Sequence, residues 1–415
     1  MKFETFNLKL FYSKKEFLLF FVLILVIFSI NTLLHYKNYL QFTEEELYEA
    51  KGQIMAVYPK VTFDIVKIEG ENSVFFTQVS KIKKLKTLDK VELIVISKNI
   101  NFLSYIKGFY AKSFIVQKIE SSSLKQRLTV KVNNQHKDER VSELFGTLFF
   151  ANTLGKELRK FCALFGISHL VALSGFHLSI LGGFIYFFVY HIYSRFHAKY
   201  CPYRNKKYDT FLICSIVLFL YVLFTGIVPS LLRAFVMYVL ALFFLRMNMK
   251  VFSFQTLLIV CLCILALFPR YIFSLSLWFS LCAVFYIFLF LQYFKSLHKV
   301  GQFVLFNVWI FLVMNPISHY FFPVTSMVQL FSPLLTLGFT LFYPLELVLH
   351  LFGQGSLLDD VIIAFLNIQV YEYKVFTPAY FFYFFLILSL FSIWSQKIFI
   401  CLNVLLVLFS IYLYV

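Results

Sequence analysis

Charge is what this chain has least of. Asp, Glu, Lys and Arg make up 14% of its 415 residues, where a soluble globular chain carries about 25%. That shortage excludes a cytosolic enzyme, a secreted domain and a disordered protein. Cysteine pairs are missing as well. Cys162, Cys201, Cys214, Cys261, Cys263, Cys282 and Cys401 all lie in or beside apolar stretches, with no Cys-x-x-Cys among them. No zinc site or disulfide framework is expected from such spacing, and the thiols read as small hydrophobic filler. There is no Gly-x4-Gly-Lys-Ser/Thr loop, since Gly155-Lys156-Glu157 does not complete one, so no nucleotide motor is expected. No cofactor, metal or catalytic residue is expected either.

Apolar residues take the vacated space. They are 60% of the chain, and the mean hydropathy is +0.79. The expectation is a polytopic α-helical membrane protein with about eight to ten crossings. Bases outnumber acids 38 to 21, a net charge of +17. An anionic partner such as nucleic acid or lipid headgroups would suit that charge. Coding bias towards Phe, Tyr and Lys, together with the basic cytoplasmic loops usual in inner-membrane proteins, explains it equally well.

Residues 1–16 are basic and are expected in the cytoplasm. The uncharged run Phe17–Leu34 is about 27 Å long as a helix, enough to span a bilayer core. It is too long for a signal-peptide core and lacks a small-x-small cleavage site, so residues 17–36 are read as a retained first helix. Residues 37–140 differ in kind, with 18 bases against 12 acids. Alternating runs such as Val61–Val66, Ser73–Thr77 and Val91–Ile96 predict about five short strands. A small external, mostly-β domain follows, with an OB-like barrel as one form. Lys81, Lys83, Lys84 and Lys86, with Phe75, Phe76 and Tyr105 nearby, suggest phosphate contacts and base stacking on single strands. A solvated lysine loop over a core of aromatics is the plainer alternative.

Residues 141–415 form the membrane domain. Phe161–Ser194 holds 34 residues without a charge, about 51 Å if straight, against a bilayer core of about 30 Å. The run must therefore break, and Ser174-Gly175, flanked by His169 and His177, is the expected place. Such breaks border transport routes or permit close helix packing. Arg233 interrupts an otherwise uncharged run from Thr210 to Leu245. A mid-helix Arg costs about 2.5–3.5 kcal/mol on insertion scales. Contact with a passing phosphate would explain it; so would snorkelling to an interface or a salt bridge to Glu346. Ser174 with a histidine also admits an intramembrane hydrolase.

The stretch Phe165-Gly166-Ile167-Ser168-His169-Leu170-Val171-Ala172-Leu173-Ser174-Gly175-Phe176-His177-Leu178 resembles the signature of the ComEC family of bacterial competence proteins. Pro229-Ser230-Leu231-Leu232-Arg233-Ala234 is similar to a second family segment. Phe273–Ser280, Phe331–Leu335 and Tyr105–Ala111 are more weakly similar. The resemblance implies an inner-membrane channel for single-stranded DNA in natural transformation, with its N-terminus in the cytoplasm. It also implies an external DNA receptor and a cytosolic helicase-type motor as partners, besides membrane lipids. His169, Ser174, Gly175, His177 and Arg233 would line the DNA path. Full-length members often carry a metallo-β-lactamase-like domain. No His-x-His-x-Asp-His cluster occurs here, so a short form without nuclease activity is expected. The alternatives are a rhomboid-like intramembrane serine protease, although Ala172 replaces the rhomboid glycine, and a transporter of small anions or lipid-linked sugars.

Overall fold

A computed structural model describes residues 13–70, 73–81, 85–119, 123–200, 202–246 and 253–414. The first helix, α1 (Lys14–Thr43), starts at Ser13, whose hydroxyl accepts from the Glu16 amide at 3.2 Å. It continues past the expected end at residue 36 because its last turns belong to the next domain. Phe42 is buried there, and the Tyr39 hydroxyl donates to the Ile100 carbonyl at 2.9 Å.

The strands β1 (Leu47–Pro59), β2 (Phe63–Gly70), β3 (Val74–Ser80) and β4 (Lys90–Ile96) are antiparallel neighbours in the order β3-β2-β1-β4. After α2 (Phe102–Lys107), the chain from 109 to 119 closes the sheet. Its first part, β5 (Phe109–Tyr110), pairs parallel with β3; its second, β6 (Ser113–Ile119), pairs antiparallel with β4. A Thr77 to Ser113 hydroxyl bond of 2.7 Å ties the seam. Period-two patterning sends Val66, Ile68, Phe75, Val91, Leu93 and Val95 into one core. Close approach of β1 to β2 needs glycine at Gly52, where an added Cβ would sit 2.6 Å from Ile68 Cγ2 and 2.7 Å from the Glu69 carbonyl oxygen.

Two helices, α3 (Leu124–Asn133) and α4 (Glu139–Phe150), form a hairpin leading out of the barrel. The division expected at residue 140 falls just inside α4. Then come α5 (Lys156–Leu164), the single turn α6 (Ser168–Val171), α7 (Gly175–Tyr200), α8 (Lys206–Phe224), α9 (Pro229–Arg246), α10 (Phe254–Leu267), α11 (Leu275–Tyr293) and α12 (Lys299–Phe321). A short strand β7 (Val324–Thr325) pairs with β8 (Tyr373–Lys374). Between them lie α13 (Ser332–Leu351) and α14 (Asp359–Leu366), and α15 (Ala379–Phe391) and α16 (Gln396–Tyr414) end the fold.

Among the described residues, seven helices are long and apolar enough to cross a membrane: α1, α7, α8, α11, α12, α13 and α16. Three shorter apolar helices, α9, α10 and α15, accompany them. The chain is a polytopic helical membrane protein with a small sheet domain near its N-terminus. Helix α11 is apolar all round and serves two cores. Leu277, Leu281 and Val284 face α8–α10, while Tyr286, Leu289 and Phe290 face α12, α15 and α16. Polar bonds fix these contacts, such as Trp309 Nε1 donating to Asn403 Oδ1 at 2.7 Å. A further core joins α4, α5, α13 and α14. The first helix docks on α10 through Asn31 Nδ2, which donates to the Ala266 carbonyl at 2.8 Å.

Candidate functional site

The long uncharged run breaks where its length required. Helix α5 stops at Leu164, and Gly166 takes a left-handed φ of +66°, a conformation that favours glycine. After the single turn α6, Ala172 is extended and α7 begins at Gly175. Ser174 stands at its start, where its hydroxyl accepts from the Phe176 amide at 3.3 Å. His177 is buried, with Nδ1 3.2 Å from Ser174 Oγ. Its ring meets Tyr343 edge-on at 4.6 Å, and Nε2 has no hydrogen-bond partner among the described residues. His169 is exposed, 3.4 Å from Thr336 Oγ1.

Three segments distant in sequence, from α9, α11 and α13, converge on this break. The Ser230 hydroxyl, at the start of α9, donates to the Leu173 carbonyl at 2.7 Å. One turn on, Arg233 is buried. Its Nε donates to Ser280 Oγ of α11 at 2.6 Å, and Nη1 lies 3.1 Å from Met237 Sδ. A Cβ at Gly175 would stand 3.1 Å from both Arg233 Nη2 and Ala234 Cβ, so a side chain there would press the guanidinium or α9 back by a few tenths of an ångström. From α13, the Ser332 hydroxyl donates to the Gly166 carbonyl at 2.9 Å. Ser280 and Ser332 both fall in the weaker stretches of resemblance, and neither was singled out as a site residue.

Among the described residues no carboxylate pairs with Arg233. Glu346, the acid considered as its partner, lies against His350 instead, with Oε2 3.3 Å from Nδ1. The charge therefore meets a hydroxyl, a thioether and the amide end of a helix. Such a helix end favours an anion. The Ser174–His177 contact is local and also caps α7. Replacing Ser174 with Ala should weaken the start of α7 by about 0.5–2 kcal/mol. Activity, scored at matched protein level, should stay within a few-fold of normal, whereas loss of a serine nucleophile would abolish it.

The barrel corrects part of the expected stacking surface. Phe75 is 0% exposed and Tyr105 is 3% exposed, so neither offers a face to a base. Both stack on Phe109 in the core, and burial pushes the Tyr105 phenol up to about 12. Phe76 points the other way. Lys67 lies over its ring at 5.9 Å, and Tyr58 is its aromatic neighbour at 6.4 Å. Tyr110, half exposed, extends the same outer face from β5. Lys67, Tyr58 and Tyr110 escaped the sequence reading, although strand alternation opposite Phe76 could have found Lys67. Lys81 and Lys86 are exposed; Lys83 and Lys84 lie outside the described residues.

A family model described as Competence protein matches residues 151–415. No curated protein and no solved structure matches the chain. The matched region contains the broken helix and each segment that closes on it.

Proposed function

The chain belongs to the competence protein family, and on that premise we propose that it conducts single-stranded DNA across the bacterial inner membrane during natural transformation. The observation that carries this reading is the buried Arg233, which meets no acid among the described residues and is set against the amide end of α7 at a break in the membrane domain. A polyanion crossing an apolar bundle needs fixed positive potential along its route, and buried cations act strongly at low dielectric. Convergence of the family-like segments on that break is further support.

Sidedness follows from charge. The α7–α8 and α11–α12 connections carry Arg195, Lys199, Arg204, Lys206 and Lys207, and Lys295 and Lys299. Alternating crossings put both on the side opposite the barrel, which the positive-inside rule makes the cytoplasm. The N-terminus then lies inside and the OB-like barrel outside. There the outer face with Lys67, Phe76, Tyr58 and Tyr110 receives the strand, with the exposed Lys81 and Lys86 as further cations. An external receptor delivers the DNA and a cytosolic helicase-type partner draws it in, because no phosphate-binding loop is present to drive transport.

Deletion in the natural host tests this. Labelled DNA should still reach the cell surface but fail to enter the cytoplasm, with growth unchanged. A growth defect with normal DNA entry would favour transport of small anions or lipid-linked sugars and contradict the reading.

A further inference from the structure

Away from the break, the tip of the α3–α4 hairpin plugs into the end of α13. Gln135 Nε2 donates to the His350 carbonyl at 3.2 Å, and its Oε1 accepts from the Gly355 amide at 2.9 Å. Beside it the buried His136 side chain places Nδ1 2.8 Å from Asp359 Oδ1 on α14. His350 places Nδ1 2.7 Å from the Glu346 carbonyl oxygen. The two remaining nitrogens, Nε2 of His136 and Nε2 of His350, face each other at 2.9 Å.

Counting donors decides what lies between them. Each Nδ1 faces an oxygen that can only accept, a backbone carbonyl or a carboxylate, so each carries its ring's hydrogen. Two neutral rings would then oppose lone pair to lone pair at hydrogen-bonding distance, which is repulsive. We propose that one proton is held between His136 Nε2 and His350 Nε2, making the pair a proton-dependent clasp between the barrel's hairpin and the α13–α14 unit. The separation suits an N–H···N bond. It is short for two nitrogens sharing a zinc ion at about 2.0–2.1 Å each. The surroundings favour a cation. Phe145 stacks on His136 at 4.8 Å and meets His350 at 4.4 Å, and Phe149 meets His350 edge-on at 4.9 Å. Asp359 and Glu346 are the acids that face the pair. On the hairpin, Asp138 and Arg140 pair with each other at 2.9 Å. Lys137, Glu139 and Asp360 are exposed.

The sign follows directly: the clasp is closed where the proton is bound and opens as pH rises. Two turns before His350 on the same helix, Tyr343 packs on His177, so opening loosens the wall of the break. Only that consequence rests on the channel reading; the clasp itself does not. Hydrogen–deuterium exchange on the full chain in lipid discs, corrected for intrinsic rates, tests it at about pH 6 and about pH 8. Residues 134–142 and 346–358 should be protected about tenfold or more at the lower pH relative to the higher. His136→Gln should erase the difference. Equal protection at both pH values in the unmodified chain overturns the clasp whether or not the variant folds. Persistence of the difference in His136→Gln, or one bound metal ion per chain by elemental analysis, overturns it too.

Discussion

Arg233→Ala should lower cytoplasmic arrival of DNA by roughly tenfold to over a hundredfold at unchanged protein level. That is the rate equivalent of one lost charge-assisted hydrogen bond of about 1.5–3 kcal/mol. The guanidinium is buried, and among the described residues its polar neighbours are Ser280 Oγ and Met237 Sδ, with no acid. A phosphate would be the first full negative charge it meets. Arg233→Lys should keep only part of the activity, because an ammonium cannot hold Ser280 through Nε while another nitrogen points at Gly175. Protein level by immunoblot and labelled DNA in the cytoplasm are the paired readouts. Full arrival in both variants would remove Arg233 from the path.

The second large effect separates core from surface in the barrel. Phe75→Ala should cost about 3–5 kcal/mol, because its ring is wholly buried between β2, β5 and the Phe109 stack. A barrel of some seventy residues has little stability to spare, so the full chain should lose protease resistance in that region and accumulate poorly. Phe76→Ala, one residue on, should leave accumulation normal. It should weaken binding of labelled single-stranded DNA by about 1–3 kcal/mol, the range for a stacked base. Binding should also fall as salt rises. Limited proteolysis and fluorescence anisotropy on the full chain distinguish the two. Equal behaviour of the two variants would contradict the assignment of inner and outer faces.

Adjacent phenylalanines show where sequence stops being legible. Alternation says that Phe75 and Phe76 face opposite ways, but not which faces in; that phase is set by β2 and β5 across the ladder. Tyr105 was misread for a similar reason. It lies on α2, outside any strand pattern, and is buried because α2 plugs the barrel beside Phe42 and Phe109. The break at Ser174-Gly175 was legible, because an uncharged run longer than a bilayer is thick cannot remain one straight helix. Its surroundings were not. Ser280 lies 47 residues from Arg233 and Ser332 lies 166 from Gly166, and a single serine in an apolar helix carries no signal. The His136–His350 pair, 214 residues apart, is silent for the same reason. The first helix was read short because Tyr39 and Phe42 continue its period while serving a different core.

The most direct measurement places a photoreactive phenylalanine analogue at Met237, beside Arg233, and another at Leu220, which α8 presents outward. Cells are illuminated while long labelled DNA is held in transit by a blocked trailing end. A DNA crosslink at 237 and none at 220 is the result predicted for a strand passing beside Arg233 at the helix break. Crosslinks at both positions, or at neither while DNA is demonstrably held, would contradict it.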